Sequence, residues 1–302
     1  MIILFFRLLL IKSISFFFRK QREHNHFLFV KLKAHVRFSE SRTLCLGMIF
    51  EPTHGGAGIG GGDSAGGGNV NIEDSKIVAI GGEYASGIGG GDEGGSGDIT
   101  IKNSEVTAEG GDYAAGIGSG DEGGRNGMIT IEDGSVVTAK GGTDAAGIGG
   151  GNEVSGGTIE ITSSTVTATG GDYASGIGGG DDGNGGTINI TDSKVTSTGG
   201  KDGAGIGGGE DGNGGTVTIT DSEVYAKGKS YGAGIGCGED GESATVRICG
   251  SSKVKAEAKA GSMSSAVGHG GYWFSYDGNS TYIDEGLLVK AGEKESSANL
   301  AR

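Results

Sequence analysis

Short alternations of apolar and polar residues recur along the chain from about residue 70, and turn residues separate them. Residues 187–209 illustrate the pattern, since Ile188 and Ile190 alternate with polar neighbours as in a half-buried strand. A Thr-Asp-Ser turn follows, residues 195–198 repeat the alternation, and residues 204–206 form a third apolar stretch. The pattern predicts three short strands separated by three turns.

The same three-part pattern returns at nearly constant spacing. Its clearest marker is the isoleucine of a phrase close to Ala-Gly-Ile-Gly-Gly-Gly, found at Ile59, Ile88, Ile117, Ile148, Ile177, Ile206 and Ile235, with Val267 as a degenerate eighth copy. A fixed period of this length means one structural unit stacked on copies of itself. We therefore predict an all-β fold, a single-stranded parallel β-helix (solenoid) of about eight coils of about 29 residues, each with three short strands.

One step of the repeat is longer than the others. The isoleucines Ile117 and Ile148 are 31 residues apart, where the neighbouring steps are 29. Aligning the repeats assigns one extra residue to a turn near Arg125 and another to Gly134. Both insertions are expected in turns, because a solenoid keeps its strands in register.

Charge divides the chain into two unlike parts. Residues 1–50 hold nine Lys or Arg against two Asp or Glu, whereas residues 51–302 hold 15 basic and 36 acidic residues. The acidic repeat body disfavours nucleic acid as a partner. Three cysteines, Cys45, Cys237 and Cys249, do not make a disulfide framework, and we expect free thiols.

The ends of the chain depart from the repeat. We divide the chain into a basic hydrophobic leader at 1–53, a β-helix at 54–292 with a degenerate capping coil from about 258, and a tail at 293–302. The leader is apolar but interrupted by Arg7 and Lys12, so it fits neither a clean signal peptide nor a spanning helix. Three readings stay open: a degenerate export signal or anchor, a mis-assigned start ahead of Met48, and a genuine structured segment. Membrane contact is expected only through residues 1–22, if they form an anchor.

Carboxylates follow the glycine run of each repeat at one register. Stacking places them in a column with about 5 Å between coils, and Ca²⁺ takes six to eight oxygen ligands of this kind. The candidate Ca²⁺ ligands are Asp92, Asp121, Asp181, Asp182, Asp211 and Asp240. A solvated, solubilising edge is the alternative, and no other cofactor is expected.

Aromatic residues supply the second candidate site. Tyr272, Trp273 and Tyr276 cluster near the C-terminal end, while Tyr113 and Tyr173 recur at one corner of the repeat. Aromatic faces pack on sugar rings, but the end cluster would equally serve as a cap and the corner tyrosines would equally pack over the turn. No catalytic residue is assigned, because the repeat body has histidines only near its two ends.

The repeat Gly-Gly-x-Tyr-Ala-Ala-Gly-Ile-Gly-Gly-Gly, followed by Gly-x-Ile-Thr-Ile and Val-Thr-Ala, resembles glycine-rich right-handed parallel β-helix repeats of large secreted or surface bacterial proteins. The resemblance implies a non-catalytic secreted or cell-surface module for adhesion or display. It also leaves open a calcium-assisted module that binds acidic polysaccharide and, more remotely, a polysaccharide lyase-like enzyme. For such an enzyme the sequence itself offers only one basic residue beside the acids, Arg125 near Asp121 and Glu122. The expected partners are polysaccharides or cell-surface glycans, with the chain a monomer or part of a longer rod.

Overall fold

A computed structural model describes residues 55–258 and 264–271, together with the backbone of three strands outside these ranges. Three parallel sheets run along the chain, and each contains one strand from every coil. The described residues include all three strands of seven successive coils between Val70 and Gly268. The predicted fold class, a parallel β-helix with three strands per coil, is confirmed.

The first two sheets carry the longer strands. The first sheet contains β4 (Val70–Glu73), β7 (Gly97–Lys102), β10 (Asn126–Glu132), β13 (Thr158–Thr162), β16 (Thr187–Thr191), β19 (Gly215–Thr220), β22 (Ala244–Cys249) and β25 (Ser280–Ile283). The second contains β1 (His35–Phe38), β2 (Leu44–Phe50), β5 (Lys76–Ile80), β8 (Glu105–Glu109), β11 (Val136–Lys140), β14 (Thr165–Thr169), β17 (Lys194–Thr198), β20 (Glu223–Lys227) and β23 (Lys253–Glu257). All pairs are parallel except β1 with β2.

The third sheet is built from two-residue strands. They are β3 (Ile59–Gly60), β6 (Ile88–Gly89), β9 (Ile117–Gly118), β12 (Ile148–Gly149), β15 (Ile177–Gly178), β18 (Ile206–Gly207), β21 (Ile235–Gly236) and β24 (Val267–Gly268). The isoleucine of the repeated phrase is therefore a core residue, and Ile177 pairs with Ile148 on one side and Ile206 on the other. The side chain of Ile177 is fully buried, which contributes about 1.5–3 kcal/mol relative to an exposed one.

Equivalent positions of successive coils form ladders inside the solenoid. Ile159 and Ile161 of β13 lie in register with Ile188 and Ile190 of β16, and all four are fully buried. The second sheet contributes smaller side chains, such as Val166 and Ala168. No single coil buries enough apolar surface to fold alone, so the stack supplies the stability.

The two extra residues lie where the repeat alignment assigned them. The first produces a β-bulge between Asn126 and Ile129, just after Arg125. The second is Gly134, whose φ of 77° is in the left-handed region of the turn before β11. Beyond both points the register with the neighbouring coils is restored.

Buried serines link the coils at the turn between the first and second sheets. The N–H of Ser164 donates to Oγ of Ser193 at 3.1 Å, and the N–H of Ser193 donates to Oγ of Ser222 at 3.1 Å. Each hydroxyl also donates to a carbonyl of its own turn, as Ser193 does to Thr191 at 2.7 Å. The ladder satisfies buried polar groups that the sheets leave unpaired.

The second sheet continues into the segment that the sequence analysis sets apart as a leader, since Met48 of β2 pairs with Ile77 of β5. Residues 1–34, and any leader function of 1–53, lie outside what the structure describes. Within the described part, no helix has the length and apolarity needed to cross a membrane. Cys237 and Cys249 are free thiols, as expected, and Cys237 is fully buried.

Candidate functional site

The carboxylates predicted as Ca²⁺ ligands lie at one corner of the solenoid, directly after the third sheet. The glycine-rich turn that follows each two-residue strand presents two acidic positions in succession. The N–H of the first position donates to a carbonyl of the preceding coil, as Asp121 does to Tyr84 at 3.0 Å and Glu210 to Tyr173 at 2.8 Å. This bond places the acids beside the column that contains the tyrosines. We call these adjoining columns the acidic corner.

The acidic corner has an inner and an outer column, acidic at every position except Asn152. The inner, partly buried column is Asp92, Asp121, Asn152, Asp181, Glu210 and Glu239, and the outer, exposed column is Glu93, Glu122, Glu153, Asp182, Asp211 and Asp240. The six predicted ligands are therefore divided between the columns: Asp92, Asp121 and Asp181 are inner, and Asp182, Asp211 and Asp240 are outer. The last two positions of the inner column are Glu210 and Glu239, which are not among the six predicted ligands.

Burial and, after it, the crowding of like charges raise the pKa values of carboxylates in the inner column. Burial, followed by the charge of Glu210, raises the pKa of Asp181 to about 7. Burial is also the largest cause of the raised pKa values of Asp92, Asp121 and Glu210, and neighbouring carboxylates add to it. The fold thus holds carboxylates at a spacing at which they repel one another unless a proton or a cation intervenes.

The third column of the corner carries the tyrosines. In chain order its members are Tyr84, Tyr113, Asp144, Tyr173, Asp202 and Tyr231. The rings of Tyr84 and Tyr113 stack with centroids 5.6 Å apart. Tyr113 and Tyr173, the predicted ligand-binding tyrosines, are 36% and 37% exposed. Their rings are accessible beside the carboxylates, but Asp144 lies between them in the column and Asp202 follows Tyr173.

The aspartates of this column are not among the predicted site residues, because they are exceptions to the residue type that most repeats share at this position. Alignment of Tyr-Ala-Ala at 113–115 with Asp-Ala-Ala at 144–146 and Asp-Gly-Ala at 202–204 shows the substitution. The exception matters at Asp202, because its carboxylate, that of Glu210 and that of Glu239 each offer an oxygen within 4.8 Å of the other two. Among the described residues, this is the one group of three acidic, histidine or cysteine side chains that converges so closely.

The electrostatics of this group differ from those of an exposed acidic edge. Asp202 is 1% exposed, and its Oδ2 accepts from Nζ of Lys201 at 3.0 Å. Burial, and then the charge of Asp202, raises the pKa of Glu239 to about 7. The N–H of Glu239 donates to the carbonyl of Asp202 at 2.9 Å, so the backbone fixes the two residues together.

The remaining predicted residues are separate from this corner or outside the description. Tyr272, Trp273 and Tyr276 lie outside the described residues. Arg125 is exposed in the turn that precedes the β-bulge.

Comparison with known proteins agrees with the geometry of the coils. Six segments match the model of the Beta helix repeat family, at residues 70–92, 99–121, 129–152, 159–181, 188–210 and 213–239. No curated protein and no solved structure gives a significant match. Because the matched segments are the coils of the three-sheet solenoid, the chain is a β-helix repeat protein.

Proposed function

We propose that this chain is a non-catalytic rod that presents a repeated outer surface for adhesion or display, in a secreted or cell-surface setting. The observation that supports this most directly is the regularity of the second sheet. Seven five-residue strands, from β5 to β23, stack there without a shift in register. The outward side chains Thr107, Thr138 and Thr167 are exposed one above another.

Charged pairs across coils add to the repeated character of this face. Lys140 contacts Glu109 at 2.6 Å and Lys194 contacts Glu223 at 3.2 Å, in each case across one coil. Exposed pairs of this kind contribute little to stability, with values of about 0–1 kcal/mol. Their regular spacing is better suited to presenting the same pattern many times than to forming one concave pocket.

Catalysis is not part of this proposal. A nucleophile activated by histidine needs the two side chains within hydrogen-bond reach, and the repeat body has only His54 and His269, near its opposite ends. The interior is occupied by apolar ladders, so any activity would have to reside in the outer turns.

The display proposal is tested on intact cells of the source organism. Antibodies against the repeat region are expected to label unpermeabilised cells, and beads coated with the purified protein are expected to adhere to a cell or matrix surface. Labelling only after permeabilisation, together with beads that bind no better than albumin-coated ones, would contradict the proposal.

Calcium-assisted binding of an acidic polysaccharide is a second candidate, favoured by the exposed rings of Tyr113 and Tyr173 beside carboxylates. A sugar ring can pack on such a face. Because the repeat body carries an excess of acidic residues, an acidic glycan would need a bridging cation.

A glycan array probed with and without Ca²⁺ tests this candidate. Loss of glycan signal in a Tyr113→Ala/Tyr173→Ala double variant is expected, while Tyr225→Ala, on the second sheet, is the control that should keep the signal. An array with no Ca²⁺-dependent signal would remove the candidate.

A further inference from the structure

The carboxylate of Asp202 is buried but only partly satisfied. Asp202 is 1% exposed, and Oδ2 accepts from Lys201, yet the buried Oδ1 has no hydrogen-bond partner among the described residues. A buried carboxylate oxygen that lacks a partner costs folding free energy. The arrangement therefore favours a ligand that donates a hydrogen bond to this oxygen or a cation that this oxygen coordinates.

The carboxylates of Glu210 and Glu239 converge on the carboxylate of Asp202. Oxygens of Glu210 and Glu239 lie with that of Asp202 inside a group whose members are all within 4.8 Å of one another. Glu210 and Glu239 come from successive coils at the same register, and their N–H groups are fixed to the backbone of preceding coils at 2.8 and 2.9 Å. The convergence is thus imposed by the stacking of the solenoid rather than by flexible side chains alone.

We propose that Asp202, Glu210 and Glu239 form a binding site for one divalent cation, Ca²⁺. Three carboxylates together with the ammonium of Lys201 leave a formal charge of about minus two, which one divalent ion neutralises. Ca²⁺ holds its oxygens at about 2.3–2.6 Å, so ligands on opposite sides are about 4.6–5.2 Å apart. Oxygens that lie within 4.8 Å of one another can therefore share one ion.

The donor set selects the class of metal. All three side chains offer oxygen, which suits hard cations, whereas Zn²⁺ sites are built chiefly from histidine and cysteine. Mg²⁺ demands shorter bonds and near-ideal octahedral geometry. Three carboxylates contributed by two successive coils suit the variable geometry of Ca²⁺ better, with water completing the coordination shell.

The chain contains its own matched comparison two coils away. Asp144 occupies the position of Asp202, and the N–H of Asp181 donates to its carbonyl at 2.8 Å, as Glu239 does at Asp202. The position of Glu210 is taken there by Asn152, so only two carboxylates remain. This corner is expected to bind Ca²⁺ more weakly, and it supplies a control variant of the same type.

The site is tested by thermal unfolding of the full chain in EDTA and in millimolar Ca²⁺ at about pH 8. Wild type is expected to gain roughly 5–10 °C when free Ca²⁺ reaches about a hundred times Kd. Glu239→Gln and Glu210→Gln should unfold at the same or a higher temperature than wild type in EDTA, because repulsion is relieved, and should lose at least about ten-fold in Ca²⁺ affinity. Asp144→Asn should keep the Ca²⁺ shift.

Terbium luminescence provides a second readout that does not depend on stability. Tyr173 and Tyr231 flank Asp202 in the same column, about 5 Å away per coil, so Tb³⁺ at the site should be sensitised by tyrosine and displaced by Ca²⁺. The proposal is overturned if wild type shows neither a Ca²⁺ shift nor displaceable Tb³⁺ emission, or if Glu239→Gln retains both. Equal losses of Ca²⁺ affinity in Asp144→Asn and Glu239→Gln would also overturn the proposal. The outcome is independent of adhesion or glycan binding, which are measured separately.

Discussion

Gly178 lies so close beneath the main-chain carbonyl of Gly207, one coil further along, that a Cβ on Gly178 would overlap the carbonyl oxygen. Its φ of 134° is also one that residues with a Cβ rarely adopt. The glycine after each core isoleucine therefore allows two backbones to approach at the third sheet. It has this structural role whatever the function of the corner beside it.

Gly178→Ala is accordingly expected to destabilise the chain by roughly 2–5 kcal/mol, the sum of backbone strain and overpacking. The melting temperature followed by circular dichroism should fall by at least about 5 °C. Gly124→Ala is the matched control, because the nearest atom to its Cβ beyond its chain neighbours would be 4.0 Å away. Equal losses in the two variants would show that the close approach is not what requires glycine.

Ser193→Ala tests the serine ladder. The variant removes the Oγ that accepts from the N–H of Ser164 at 3.1 Å, and leaves that buried N–H without its acceptor. The expected cost is about 1–3 kcal/mol, measured as a lower urea midpoint. Hydrogen exchange at the Ser164 amide should accelerate more than at strand amides of the same coil. Thr165→Ala, at an exposed position of β14, should change neither quantity appreciably.

Much of the fold could be predicted because a solenoid repeats the same strand pattern in every coil. Alternation at Ile188 and Ile190 would be a weak signal in one segment, but the same alternation at constant spacing fixes strand, face and register together. The same spacing locates the extra residues near Arg125 and at Gly134, because an insertion interrupts an otherwise constant interval.

The candidate site was predicted less completely, and the reason is geometrical. Sequence alignment shows which residues share a register but not which neighbouring columns face each other. The predicted column contains Asp181 and Asp211, yet the convergent group needs Asp202 from the tyrosine column. The tyrosine column lies beside the inner acids because of the way the turn folds back, as the hydrogen bond from the N–H of Glu239 to the carbonyl of Asp202 shows. The degree of burial at Asp202 likewise depends on this packing.

Ile177→Asp tests the core ladder. Ile177 is fully buried between Ile148 and Ile206, so a carboxylate there would be desolvated without a partner and should cost more than about 4 kcal/mol. Hydrogen exchange is expected to show loss of protection centred on residues 159–178 and spreading to adjacent coils. Thr167→Asp, on the exposed face of the same coil, should leave protection nearly unchanged. An unaltered melt of Ile177→Asp would refute the β-helix.

The raised pKa values at the acidic corner predict that the thermal stability of the chain in EDTA depends on pH. Asp181 has a pKa of about 7 in the fold against 3.8 in the unfolded chain, and Glu239 about 7 against 4.5. The folded state therefore binds more protons than the unfolded state between about pH 4 and 7, and stability falls as pH rises through this window. The melting temperature at about pH 5 should exceed that at about pH 8 by several degrees. Glu257 and Asp221 act in the opposite sense, because their pKa values are lowered in the fold. Their contribution to the stability of the fold is lost only in more acidic solution.

Asp181→Asn separates this effect from a general response of an acidic protein. The amide cannot titrate, so the variant should melt higher than wild type at about pH 8 and show a smaller difference between the two pH values. Asp192→Asn removes an equal charge from an exposed turn between the first and second sheets, where a φ of 48° suits asparagine. It should retain the full difference. If both variants reduce it equally, the dependence comes from net charge, because crowding at the corner would affect only Asp181.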